Sequence, residues 1–283
     1  MVHEHAFHEA PLLRVRELCV DYITDDGHFR AVDRVSFDIG HGEIFGLAGE
    51  SGCGKSTIAF SVNHLHKPPA MISGGEIWLE DVNLRTLSDQ QLSVIRWSEI
   101  AMVFQSAMNS LNPVLTVEEQ FLDVIQHHKG WSREQAVTRA LKMLDLVNIP
   151  RDRLKDYSHQ FSGGMRQRLV IAIALSLSPK LIIMDEPTTA LDVVVQREIL
   201  QQIFKLKEEF GFSVLFITHD LALMTQLSDR IAIMRHGEIV EVNSAKKIRH
   251  NPQHPYTQKL WASFPNIHDR KTNKVKSEEG AQS

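Results

Sequence analysis

Glycines, one lysine and three hydroxyls fall together at Gly46–Thr57, GLAGESGCGKST. The spacing fits G-x-x-x-x-G-K-[ST], a pattern that cradles phosphate. Glycines let the backbone curl until several N–H groups point at one anion. A helix behind the loop adds free N–H groups and the positive end of its dipole. The expected phosphate-facing residues are Gly49, Ser51, Gly52, Cys53, Gly54, Lys55, Ser56 and Thr57. Lys55 supplies a mobile positive charge for the β- and γ-phosphates, and the Ser56 hydroxyl suits Mg²⁺. A Gly-rich turn before an ordinary helix would leave the same letters. An apolar run over 43–48 and helix-compatible residues from Ile58 give the strand-loop-helix context of a nucleoside triphosphate site.

Three further candidates follow apolar runs. Asp185 and Glu186 come directly after Leu181–Met184. Two carboxylates at the end of a buried strand are costly unless they bind something. Asp185 suits Mg²⁺, and Glu186 suits orienting and polarising an attacking water. A solvated loop pair is the plainer alternative. Gln105 follows Ile100–Phe104, and His219 follows Val214–Ile217. Parallel α/β sheets bind ligands at the carboxyl ends of their strands, so these residues and the phosphate loop are expected to converge. A second anion site is conceivable at Ser162-Gly163-Gly164, which opens a helix over 162–178; an ordinary capped helix explains it equally.

These residues need a scaffold. Strand-like alternation over 13–20, 32–39 and 76–80 predicts an antiparallel sheet beside the nucleotide core. Tyr22 and Phe29 lie near its strand ends, where either could stack on adenine or simply pack. The helix after the phosphate loop is expected to run to about His66 and stop before Pro68 and Pro69. Further helices are expected over 87–97, with Ser88 as N-cap, 117–128 and 133–147. The last two read as part of a helical insertion between core strands. A helix beginning at 189–192 should end at Gly211, and a hairpin over 230–242 should turn at His236 and Gly237.

Bulk properties narrow the class. With 283 residues and 43% apolar content, the chain can bury a large core. A net charge of −4 argues against nucleic acid as partner. The longest apolar region, 169–184, is broken by Ser176, Ser178, Pro179 and Lys180, so no membrane span or secretory signal is expected. Cys19 and Cys53 imply no disulfide framework and suit a reducing cytoplasm. His3, His5 and His8 read as a polar tail rather than a metal site.

Taken in order, the motifs resemble those of the nucleotide-binding subunit of an ATP-binding-cassette (ABC) transporter, over about 12–264. GESGCGKST resembles Walker A, Gln105 the Q-loop glutamine, FSGGM the signature and LIIMDE Walker B. TALD resembles the D-loop, with Asp192, and His219 the switch histidine. The resemblance implies an α/β fold: a P-loop (RecA-like) ABC ATPase core with an N-terminal antiparallel β subdomain and a helical subdomain insertion. The implied boundaries are tails at 1–11 and 268–283 and an ATPase domain at 12–267. Within it the core takes 12–105 and 176–250, the helical subdomain about 106–175, and a C-terminal segment about 251–267.

It also implies ATP and Mg²⁺, with Ser56, Gln105 and Asp185 toward the metal and Glu186, His219 and Gln105 at the reacting phosphate. Tyr22 becomes the expected adenine-stacking residue, with Phe29 as runner-up. Ser162, Gly163, Gly164 and Met165 would face the ATP of a partner cassette. FSGGMRQR, SLNPVLTV and NPQHPYTQKL resemble the oligopeptide/dipeptide/nickel importers, in particular the first of their two paired ATPases. Expected partners are a second ATPase subunit, two membrane-spanning permease subunits and an extracytoplasmic solute-binding protein, at the cytoplasmic face of the membrane. Oligosaccharides or nickel are alternative cargoes; a soluble non-transport ABC ATPase is a more distant reading. Some relatives carry an iron–sulfur cysteine cluster near the C-terminus. No cysteine follows Cys53 here, so no such cluster is expected.

Overall fold

The computed structural model describes residues 10–25, 27–104, 110–187 and 192–262. Among these residues are two sheets and nine α-helices. β1 (Leu13–Thr24), β2 (Gly27–Ile39), β4 (Ala70–Leu79) and β5 (Val82–Asn83) form an antiparallel sheet in the order β2-β1-β4-β5. β3 (Ile44–Gly49), β6 (Ile100–Val103), β7 (Leu181–Asp185), β8 (Ser213–Ile217), β9 (Arg230–Arg235) and β10 (Glu238–Ser244) form the second, ordered β10-β9-β3-β8-β7-β6. Its strands run parallel except β10, which returns antiparallel along β9.

β3, β6, β7 and β8 are buried along their whole length, as expected of parallel strands covered on both faces. Successive side chains point to opposite faces, so two cores form. Leu181, Ile183, Leu215 and Ile217 pack with β1, β2 and α1 (Lys55–Val62). Ile182, Met184, Val214 and Phe216 pack with α3 (Val117–Lys129), α4 (Arg133–Leu146), α5 (Gly163–Leu175) and α6 (Val193–Phe210). α3 and α4 open with full capping boxes at Thr116 and Ser132, each satisfying two otherwise unpaired backbone donors.

The expected elements are present, with shifted ends. α1 stops at Val62 rather than near His66: His64 turns to φ 48° and the Leu65 N–H returns to the Phe60 carbonyl (2.9 Å), while the Arg96 guanidinium donates to the carbonyls of Asn63 (3.0 Å) and His64 (2.7 Å). β4 begins at Ala70, not 76: its first half pairs with Val20–Tyr22, although none of its side chains there is fully buried. The irregular apolar pattern of β1 has a physical cause. Register slips occur after Val15 and Leu18, and Glu17 sits at φ 46°, so a bulge resets which face each side chain meets. α5 ends at Leu175, before Pro179 can stop it. α6 starts at Val193 with Asp192 outside it as N-cap, rather than within 189–192. α2 (Asp89–Ile95) has the expected Ser88 cap. α7 (Leu221–Leu227) follows β8, α8 (Ala245–His250) was not foreseen, and α9 (Pro255–Ala262) closes the described chain. Among the described residues no helix is long and apolar enough to cross a membrane.

Candidate functional site

The phosphate loop leaves β3 at Gly49 and enters α1 at Lys55. Gly54, the N-cap, has φ +107°, and a Cβ there would lie 2.5 Å from the Ala31 carbonyl oxygen. A Cβ at Gly49 would lie 2.3 Å from the carbonyl oxygen of Met234. Both positions therefore need glycine for space as well as for backbone angle. Lys55 is buried, and its ammonium donates to the carbonyls of Gly49 (2.9 Å) and Glu50 (2.8 Å), so the loop is wrapped around its own lysine. Ser51, Gly52 and Ser56 are exposed beside it, while Cys53 is buried, its sulfur 3.6 Å from the Lys55 Nζ.

β7 delivers the carboxylates from the next strand but one. Asp185 pairs in register with Ile217 of β8, as Leu47 of β3 does, so all three strands end at one level. Asp185 is 6% exposed, and its Oδ1 has no hydrogen-bond partner. Burial pushes its carboxyl above the usual carboxylate range; the nearby Ser56 hydroxyl and Lys55 oppose that rise, and Glu186 adds to it. Glu186 adopts φ +47°, with its N–H fixed on the Ile217 carbonyl at 2.9 Å. A non-glycine residue in this region costs about 1–3 kcal/mol and persists only where its surroundings impose it. The geometry turns the Glu186 side chain toward His219, whose Nδ1 is 3.5 Å from Oε1.

Lys55, Ser56, Glu186 and His219 share one cleft of about 480 Å³. Tyr22, Phe29 and Ala31 of the antiparallel sheet, Ser51, Gly52 and Gly54–Thr57 of the phosphate loop, and Glu186 and His219 line it. Tyr22 and Phe29 are direct cross-strand partners on β1 and β2, so both aromatic rings border the cleft; Tyr22 is half-buried and Phe29 is 63% exposed. Sequence had treated them as alternatives. Strand pairing makes them neighbours, and adds Ala31, for which no sequence signal stood out.

The donor set fits a hard cation that arrives with phosphates. An orphaned carboxylate oxygen and an adjacent hydroxyl are oxygen ligands of the kind Mg²⁺ takes, and Mg²⁺ is held by few protein groups when a nucleotide supplies the rest. Among the described residues no cluster of three His, Cys, Asp or Glu side chains could hold a metal alone.

The remaining candidates lie elsewhere. Ser162 caps α5, accepting from the Met165 N–H at 3.3 Å, and is exposed; Gly163, Gly164 and Met165 form its first turn, half-buried. None of the four lines the cleft of this chain. A Cβ on Gly164 would come 2.7 Å from the Val195 Cγ1 of α6, so that glycine also allows two helices to touch. Asp192 accepts from the N–H groups of Val194 and Val195 at the start of α6. Gln105 and the residues from 188 to 191 lie outside the described residues.

Comparison with known proteins agrees with this geometry. The ABC transporter family profile matches residues 32–189, and that of the oligopeptide/dipeptide transporter C-terminal region matches residues 240–283. The chain is 45% identical to the dipeptide transport ATP-binding protein DppD of Bacillus subtilis, over 90% of this chain and 77% of the relative. It is 42% identical to the oligopeptide transport ATP-binding protein OppD of the same organism, over 90% and 72%. Among solved structures it is similar to the dimeric cassette MJ0796 in a post-hydrolysis state bound to ADP and Pi, with TM-score 0.72 and 31% identity over 82% of this chain and 98% of that one. It is also similar to cbiO1 of Clostridium perfringens, part of the transporter complex cbiONQ, with TM-score 0.75 and 25% identity over 93% and 100%. A phosphate loop, a carboxylate pair and a histidine meet at the ends of parallel strands in a chain with these relatives: it belongs to the ABC transporter family, as an ATPase subunit.

Proposed function

We propose that this chain hydrolyses Mg–ATP to drive import of dipeptides or oligopeptides. The convergence of Lys55, Ser56, Glu186 and His219 on one cleft, with the buried Asp185 carboxylate beside Ser56, carries the proposal. The names of its relatives and the match of its C-terminal region support the cargo class. In this reading Tyr22 and Phe29 flank the adenine, and the loop amides from Gly49 to Thr57 with Lys55 hold the phosphates. Bound Mg²⁺, on Ser56 and Asp185 with Gln105 as the expected third group, would offset charge on the β- and γ-phosphates. Glu186 takes a proton from the attacking water. His219 orients the γ-phosphate and stays within reach of Glu186.

The second anion site belongs to a partner. Ser162–Met165 would meet the nucleotide of a second ATPase subunit, with Asp192 beside the junction. Support comes from their absence from this chain's own cleft and from the dimeric state of the MJ0796 cassette. Val193 and Val194, 73% and 68% exposed next to Asp192, are apolar surface suited to such a contact. An apolar groove of about 260 Å³ between Phe104, Leu115, Val124 of α3 and Ile173 of α5 suits a helix of a permease subunit. Because α5 carries Ser162 at one end and lines this groove, closure at the nucleotide would be felt by the permease. We place the ATPase domain at 12–267, with the helical unit at about 106–175. The chain would sit at the cytoplasmic face of the membrane, served by a solute-binding protein outside.

Reconstituting the chain with its permeases and partner ATPase tests the reading. Peptide uptake should require ATP and stop in Lys55→Ala. Uptake that survives this substitution, or ATP hydrolysis stimulated by a sugar or nickel and not by peptides, would reject it.

A further inference from the structure

The segment Asn251–Thr257 closes on the back of the phosphate loop. The Glu241 carboxylate, 9% exposed on β10, accepts from the backbone N–H groups of Gln253 (2.9 Å) and His254 (3.0 Å). The His254 ring accepts at Nδ1 from the Tyr256 N–H (3.1 Å), and its carbonyl accepts from the Gln258 N–H (3.0 Å). His254 therefore caps α9, and Pro255 occupies the first helical position, where a missing N–H costs nothing. This turn fixes Tyr256. Its ring is 7% exposed, with the Arg235 guanidinium over it at 4.9 Å from the centroid. Its hydroxyl accepts from the Glu50 N–H, at 3.4 Å, inside the phosphate loop. The carbonyl of the same Glu50 holds the Lys55 ammonium.

We propose that Tyr256 is a positioning residue for nucleotide binding: its hydroxyl holds the Glu50 peptide, and through it the loop and Lys55, in the phosphate-binding pose. The proposal rests on the reading of the cleft as the ATP site. It gives the C-terminal region a role in the ATPase itself. The residues His254, Pro255 and Tyr256 then form one device: a cap, a helix start and a brace.

Tyr256→Phe removes the hydroxyl and keeps the ring and its Arg235 contact. In the full-length chain, the Kd for Mg–ATP should rise about two- to tenfold, the scale of one backbone hydrogen bond. The kcat of the assembled complex at saturating ATP should stay within about twofold. Hydrogen exchange should quicken at the Glu50 amide and nearby loop while the sheet is unchanged. Glu241→Gln, which loosens the turn without touching the ring, should move Kd the same way by less. A wild-type Kd in both variants overturns the proposal, as does faster exchange spread evenly over the chain, which marks a packing role. Failure of the wild-type chain to bind Mg–ATP would instead overturn the reading of the cleft.

Discussion

Replacing Asp185 with Asn separates what this carboxylate does for the fold from what it does for the nucleotide. Asp185 is 6% exposed, one of its oxygens lacks a partner, and burial raises its pKa. An unsatisfied buried polar atom costs about 1–3 kcal/mol, more when charged. Asparagine keeps the shape and removes the charge, so the nucleotide-free protein should gain about 1–2 kcal/mol. For a chain of this size that is a rise of about 2–8 °C in melting temperature.

The pH dependence follows from the direction of the shift. The folded chain binds this proton more tightly than the unfolded chain. Its stabilising contribution is present below the ordinary aspartate pKa of about 3.9 and is lost as pH rises through the raised folded value. The advantage of Asp185→Asn should thus be largest at neutral pH and close on acidification. Mg–ATP reverses the ranking. At a hundred times Kd a ligand adds about 2.7 kcal/mol, and the variant should lose the Mg²⁺-dependent share. Thermal melts with and without Mg–ATP, from pH 4 to 8, measure all three effects. A variant less stable than wild type without nucleotide, or one that gains as much from Mg–ATP, would refute the assignment.

Glu186→Gln should retain ATP binding and lose at least tenfold in hydrolysis, since a positioned base contributes about 10²–10⁴; near wild-type turnover in the assembled complex would exclude Glu186 as the base. Gly54→Ala places a methyl group 2.5 Å from the Ala31 carbonyl at φ +107°. It should lower stability by about 1–3 kcal/mol and weaken ATP binding, and an unchanged affinity in calorimetry would contradict the loop geometry. A bulky residue at 164 must be combined with Val195→Ala, because Val195 Cγ1 would lie 2.7 Å from the new Cβ. Nucleotide trapping should then fail at the partner's phosphate loop more than at this chain's own, and the opposite pattern would count against a shared site.

Much of this site was legible because its chemistry dictates residue types at short range. Gly49 and Gly54 leave no room for a Cβ in the loop that encloses Lys55, and a strand end brings Asp185 and Glu186 beside it. Buried parallel strands are written as continuous apolar runs, so Leu181–Asp185 and Ser213–Ile217 could be found by eye. Element ends were less legible where a distant side chain set them. Arg96 satisfies the carbonyl just past the end of α1 from 33 positions away, and β4 lengthens because β1 offers it a partner.

The sequence by itself determined the order of the strands' chemical endings, the phosphate loop and the α/β class, because each depends on residues adjacent along the chain. Tertiary structure alone decided which endings meet. β3, β8 and β7 lie side by side although 131 residues separate Gly49, the end of β3, from Leu181, the start of β7, and pairing in register sets Glu186 against His219. It also decided that Tyr22 and Phe29 share one cleft and that Tyr256 reaches Glu50 across 206 positions. Such contacts have no local signature: a hydrogen bond between distant residues is specified by how the whole sheet packs, not by any spacing that can be read along the chain.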